Sequence, residues 1–233
     1  MTTNTTLFEL ENAPTNAPLL QVNDLHVEFT TREGVARAVN GVNFTVESGK
    51  TLAVLGESGS GKSVTAQAIM GIVDDPPGKV TGGEVLLHGV DILKLSDEER
   101  RLIRGERIAM IFQDALSSLN PTFTVGWQIS QLFRVRRGQG KKEAQANALE
   151  LMERVSIPAA KERFHNYPHE FSGGMRQRVM IAMALALEPE VLIADEPTTA
   201  LDVLVQDQIL GEIDALRRRM GLSLILISHD MGA

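Results

Sequence analysis

The chain has 233 residues, 43% of them hydrophobic and 23% charged, with a formal net charge of −7 at pH 7. That length suffices for one good-sized domain, or one domain with a small helical insert, and the acidic balance argues against a nucleic-acid partner in the absence of a local basic patch. Cysteine is absent, which excludes disulfides, thiol catalysis and cysteine-bound zinc or iron–sulfur clusters from these residues.

The N-terminal stretch up to Pro18 is rich in Thr, Asn and Pro and predicts a flexible tail over residues 1–18; it lacks the basic head and apolar core of a secretory signal. From Asp24 to Phe29 apolar and polar residues alternate, the pattern of a strand with one wet face. A turn follows at Arg32 to Gly34, and Val42, Phe44 and Val46 repeat the alternation, so two antiparallel strands are expected. Thr51 to Leu55 is instead a nearly continuous apolar run, the mark of a strand buried on both faces, and Ile108 to Phe112, Val191 to Ala194 and Leu222 to Ile227 read the same way. Helical stretches are expected between these runs. Ser96 with Glu99 forms a capping box at the start of one helix. Residues from about 114 to 170 have helical periodicity and no buried-strand run, which predicts a helical insert. Val205, Ile209, Ile213, Leu216 and Met220 make a helical stripe. The whole reads as an α/β fold over residues 19–233, with a parallel sheet, an N-terminal antiparallel β part and a helical subdomain. No segment approaches the roughly 20 apolar residues of a membrane-spanning helix, so a membrane role would come through a partner.

Gly56-Glu57-Ser58-Gly59-Ser60-Gly61-Lys62-Ser63 fits the phosphate-loop pattern G-x-x-x-x-G-K-[ST]. Glycines let the backbone wrap a phosphate with its N–H groups turned inward, and a helix starting near Lys62 offers the anion its positive end. Lys62 is expected to reach the β- and γ-phosphates of ATP, and Ser63 to ligate Mg²⁺. A glycine-rich turn matching by chance would lack the strand before it and the helix after it; here both are expected.

The run Val191 to Ala194 ends in Asp195 and Glu196. Two acids at a strand end are common by themselves. In a chain with a phosphate loop, however, a carboxylate there lies where Asp195 can hold Mg²⁺ and Glu196 can orient and deprotonate an attacking water.

Phe171-Ser172-Gly173-Gly174-Met175-Arg176-Gln177-Arg178, just before the acidic strand, resembles the L-S-G-G-Q signature of the ABC ATPases. The fuller pattern H-E-F-S-G-G-M-R-Q-R, and the S-L-N-P ending of Asp114 to Pro121, are similar to the ATPase subunits of bacterial dipeptide and oligopeptide permeases. The E-P-T-T-A-L-D run resembles that family's D-loop, and the likeness extends from Leu20 to Asp230. The resemblance implies a phosphate-loop NTPase core of ABC type and a subunit that binds and hydrolyses ATP to power import of dipeptides or oligopeptides. It assigns Gln113 to the Q-loop glutamine sensing Mg²⁺ and the attacking water. Ser172, Gly173 and Gly174 would bind the γ-phosphate held by an opposite protomer, Asp202 would link the two sites, and His229 would contact the γ-phosphate. Phe29 matches the aromatic that stacks on adenine, and is equally explained as a core strand residue.

The implied partners are polytopic membrane permease subunits, a second ABC ATPase subunit (identical or paralogous) and, indirectly, an extracytoplasmic solute-binding protein. The implied location is the cytoplasmic face of the membrane. Met175 removes a side-chain amide that the usual glutamine supplies, without affecting backbone contacts. The Arg134, Arg136, Arg137, Lys141, Lys142 cluster and the Arg217–Arg219 run have no interleaved aromatics and read as solvated faces, not as a nucleic-acid surface. The family continues beyond the position of Ala233 with further core helix and strand, so a truncation after His229 is expected. The competing class is a soluble ABC ATPase of DNA repair or translation, which carries a long coiled-coil insertion or two cassettes in one chain; neither is evident here. A non-catalytic nucleotide-binding regulator is disfavoured by the intact Lys62, Asp195, Glu196 and His229.

Overall fold

The computed structural model describes residues 18–114, 118–199 and 202–229; the expected tail, up to residue 17, lies outside the described residues. The described residues form two compact units, one within 18–104 and 222–229, the other within 105–221.

In the first unit β1 (Leu20–Thr31) and β2 (Gly34–Val46) pair antiparallel through the two-residue turn Arg32–Glu33. β4 (Gly78–Leu87) pairs antiparallel with β1 on its other side, and the short β5 (Val90–Asp91) follows it. The sheet order is β2-β1-β4-β5. Leu20, Val22, Leu25, Val27, Val85 and Leu87 are wholly buried from it, the inward positions of alternating strands. The sequence pattern expects helices between the buried runs and marks no strand over the residues of β4 and β5. The alternation of β4 is interrupted at Gly82–Gly83, where Gly83 has φ 89° and a Cβ would lie 2.3 Å from the Asp24 carbonyl oxygen. That close approach to the irregular part of β1 demands glycine and hides the strand period.

β3 (Thr51–Leu55) pairs in parallel with β8 (Ser223–Ser228), from Thr51 opposite Leu224 to Leu55 opposite Ser228. The hydroxyl of Ser223 accepts from the Gly49 amide at 2.8 Å and donates to the Glu47 carbonyl at 3.1 Å. The expectation that β3 is buried on both faces is corrected: Thr51, Ala53 and Leu55 are exposed, Leu55 at 51%. β3 ends its sheet, with β8 as its one strand neighbour among the described residues, and the exposed residues alternate along it, so one of its two faces is open. Helix α1 (Lys62–Met70) follows the phosphate loop, and α2 (Asp97–Ile103) opens on the expected capping box of Ser96 and Glu99. The Arg104 side chain donates to the Met70 and Gly71 carbonyls, satisfying the C-terminal end of α1.

In the second unit β6 (Ile108–Ile111) and β7 (Val191–Asp195) run parallel and buried throughout, Ile108 opposite Val191 and Ile111 opposite Ala194. β6 stops one residue short of its expected end, leaving Phe112 40% exposed. Between them lie α3 (Val125–Arg136), α4 (Lys141–Arg154), α5 (Ala160–Arg163), a 3₁₀ turn at Pro168–Glu170 and α6 (Gly173–Leu185). No strand occurs from 114 to 170 among the described residues, as the helical periodicity predicts. α7 (Val203–Met220) buries Ile209, Ile213 and Leu216, the centre of its expected stripe. The basic cluster is less solvated than expected: Arg136 pairs with Glu106 at 3.0 Å and Arg137 donates to the Leu187 carbonyl at 2.8 Å. Arg217 and Arg218 both pair with Asp214, whose carboxyl they hold below its usual range, chiefly through the Arg217 hydrogen bond.

Candidate functional site

The phosphate loop leaves β3 at Gly56. Gly59 and Gly61 have φ of 80° and 91°, which favours glycine. At Gly61 the restriction is also steric, because a Cβ would lie 2.2 Å from the Ala38 carbonyl oxygen of β2. Lys62 is 8% exposed and curls back over the loop, its ammonium donating to the carbonyls of Gly56 at 2.7 Å and Glu57 at 2.8 Å. The N-cap of α1 is Gly61, which has no side chain to cap the helix start. This leaves a helix N-terminus, a buried ammonium and a glycine cradle in one place, the chemistry of a phosphate site. His229 immediately follows Ser228, which stands opposite Leu55, the residue before the loop. Phe29 is half-buried, and its ring packs so closely on Gly78 of β4 that a Cβ there would lie 2.7 Å from it.

In the second unit the parallel register brings the ends of β6 and β7 together. Gln113, two residues past β6, donates through Nε2 to Oε2 of Glu196 at 2.8 Å. Asp195, the last residue of β7, is 4% exposed. Glu196 has φ 45°, a left-handed conformation unusual for a residue with a side chain. The Thr199 hydroxyl donates to the same Glu196 oxygen at 2.9 Å.

Ser172 is the N-cap of α6, accepting from the Met175 amide at 3.4 Å. The donor is a backbone group, so methionine at 175 leaves the cap intact. Phe171 is 2% exposed and fills a core position. A Cβ at Gly174 would lie 2.9 Å from Val205 on the first turn of α7, so glycine permits the two helix starts to approach. Asp202 caps α7, accepting from the Val205 amide at 3.0 Å.

The ABC transporter family model matches residues 39–199, more than half of the chain. The chain is 52% identical over 214 residues to the oligopeptide transport ATP-binding protein OppD of Bacillus subtilis (strain 168), covering 92% of this chain and 60% of that protein. It is 51% identical over 214 residues to the dipeptide transport ATP-binding protein DppD of the same organism, covering 92% of this chain and 64% of that protein. The chain thus spans less than two thirds of the length of either relative. Among solved structures, the ATP-binding cassette MJ0796, in a dimeric post-hydrolysis state bound to ADP and Pi, matches with a TM-score of 0.81 at 28% identity, over 91% of this chain and 89% of that one.

The chain belongs to the ABC transporter family.

Within this ABC chain the functional residues expected from sequence fall into separate local groups. The phosphate loop and His229 belong to the first unit; Gln113, Asp195, Glu196, the signature residues Ser172 to Gly174 and Asp202 belong to the second. Two residues of this ABC chain escaped the sequence reading. Thr199 is one; its bond to Glu196 depends on the turn that begins at Glu196, closed by the Thr199 amide donating to the Glu196 carbonyl at 3.3 Å. Arg178 is the other, present in the signature segment but given no role there. It donates to the Ser156 carbonyl at 2.6 Å and pairs with Glu212 of α7 at 2.6 Å, tying the signature helix to two neighbours. Burial pushes the Glu212 carboxyl above its usual range in spite of Arg178.

Proposed function

We propose that this chain is the ATP-binding and ATP-hydrolysing part of an importer for dipeptides or oligopeptides. The observation that carries the reading is the phosphate loop, with Lys62 buried over its carbonyls and Gly61 admitting no side chain. The transport class rests on the names of the relatives at 52% and 51% identity. Loop amides from Gly56 to Ser63 would surround the phosphates, with the Lys62 ammonium exchanging loop carbonyls for the β- and γ-phosphates. Phe29 would offer the exposed part of its ring to adenine.

Among the described residues no group of three or more His, Cys, Asp or Glu is placed to hold a metal. The side-chain oxygens of Ser63, Asp195 and Gln113 would suit Mg²⁺, which takes one or two protein oxygens together with substrate phosphates. Ser63, Asp195 and Gln113 would hold it, and it would neutralise charge on the phosphates. Glu196 would accept a proton from the attacking water, and His229 would contact the γ-phosphate. Ser172, Gly173 and Gly174 would face the γ-phosphate of a second ATPase subunit, with Asp202 linking the two sites. Ser172 and Gly173 are exposed at the start of α6, a helix end suited to an anion.

No described helix is long and apolar enough to cross a membrane. Its likeness to the oligopeptide and dipeptide transport ATP-binding proteins supports a peripheral subunit on the cytoplasmic face, acting on permease subunits supplied by an external solute-binding protein. A soluble role on nucleic acid gains no support from the basic clusters, whose arginines at 136, 137, 217 and 218 are engaged within the protein.

Glu196→Gln tests the reading. The amide preserves size, and Asp195 remains. ATP binding should persist while hydrolysis falls by roughly 10²- to 10⁴-fold, the usual contribution of a positioned base. Turnover near the wild-type rate would remove Glu196 from the role.

A further inference from the structure

We infer that Thr199 is the positioning residue that keeps the Glu196 carboxylate aimed during hydrolysis; this rests on the reading of Glu196 as the base. Two donors converge on one oxygen of that carboxylate: Nε2 of Gln113 at 2.8 Å and the hydroxyl of Thr199 at 2.9 Å. They differ in origin. Gln113 belongs to the segment after β6, whereas Thr199 closes the turn that Glu196 itself opens. The Thr199 hydroxyl also lies 3.3 Å from the Glu196 carbonyl oxygen, to which the Thr199 amide donates as well. Thr199 therefore holds both the backbone and the side chain of Glu196, at a residue whose φ of 45° is already forced out of the common regions. The Gln113 contact has no such anchorage in the turn, and in the proposed function that side chain serves the metal. Were the Gln113 amide drawn off to the metal, the Thr199 hydroxyl would keep a donor on Oε2. A glutamate side chain has several rotatable bonds, and a misplaced reacting group costs rate steeply, so one retained hydrogen bond has a kinetic effect without any contact to the nucleotide.

The test compares Thr199→Val, nearly the same shape without the hydroxyl, with Thr199→Ser, which keeps it. Both are made in the complete subunit assembled with its transporter partners. Thermal melts and nucleotide affinity are measured beside steady-state ATPase. Thr199→Val should lower kcat roughly 10- to 100-fold, with nucleotide affinity and the KM for ATP within about twofold of wild type. Thr199→Ser should restore most of the loss. On the Glu196→Gln background Thr199→Val should cause no further loss, because the group it aims is gone. A crystal structure of Thr199→Val should show the Glu196 side chain reoriented. The inference is overturned by a kcat near wild type in Thr199→Val, by equal impairment in Thr199→Ser, or by the same fold-loss on both backgrounds. Should Thr199→Val fold poorly, Thr199→Ser and Thr199→Ala still decide between hydroxyl and shape. Failure of the underlying reading is separately visible, as Glu196→Gln turning over ATP at the wild-type rate.

Discussion

At Gly61 a methyl group would sit 2.2 Å from the Ala38 carbonyl oxygen, on a backbone with φ 91°. Gly61→Ala therefore faces both a backbone collision and a disfavoured conformation, the latter alone worth of order 1–3 kcal/mol. Lys62 acts differently: its ammonium already has carbonyl partners at 2.7 and 2.8 Å, so removing it leaves loop acceptors unpaired but admits no clash. A ligand present at 100 times its dissociation constant stabilises the folded state by about 2.7 kcal/mol. In thermal melts of the chain, Mg-ATP should raise the midpoint of wild type. Lys62→Ala should melt near the ligand-free wild type and show no ATP shift. Gly61→Ala should melt lower and also fail to shift. An ATP shift of wild-type size in Lys62→Ala would refute its assignment to the phosphates.

The signature helix α6 is joined to its neighbours through Arg178, which meets Glu212 of α7 at 2.6 Å and the carbonyl of Ser156 at 2.6 Å. Glu212 has a carboxyl raised by burial, so its protonated form is the one the fold prefers. Stability from that preference is fully present below the unfolded value and is lost as pH rises through the folded one. Removing Arg178 takes away the cation that opposes the burial and raises Glu212 further. Arg178→Ala should accordingly cost about 1–3 kcal/mol near neutral pH, and less in acid, where Glu212 takes up a proton. Urea unfolding on either side of the glutamate range would read this, and an equal penalty at both pH values would contradict it. Legibility differed among the elements for physical reasons. β1, β2, β6 and β7 announce themselves because alternation and apolar runs report the number of buried faces. β4 does not, because Gly82 and Gly83 serve a close backbone approach. The exposure of β3 is equally hidden, since an apolar run there carries no record of what packs over each face. In the site, the loop from Gly56 to Ser63 is contiguous and so visible. The Gln113–Glu196–Thr199 contacts arise only once β6 and β7 are in register.

For the assembled transporter, the loop after Gln113 is expected to couple hydrolysis to the membrane subunits. Altering that loop in the reconstituted complex should reduce substrate-stimulated ATPase more than basal ATPase; equal loss of both would confine the loop to the nucleotide. The order of biosynthesis follows from the pairing of β3. Its strand neighbour β8 arrives late, and the hydroxyl of Ser223 meets the amide of Gly49 across 174 positions of sequence. Residues 105–221 are continuous and complete their own contacts first as the ribosome proceeds. Throughout that interval the strand leading into the phosphate loop has its ladder groups unmatched and Leu52 and Val54 without their eventual neighbours Ile225 and Ile227. Closing so long a loop is entropically slow. The strand that leads into the phosphate loop is thus framed only after residues 105–221 have been made, and a chaperone that shields residues 51–55 in that interval would protect a strand still lacking its partner.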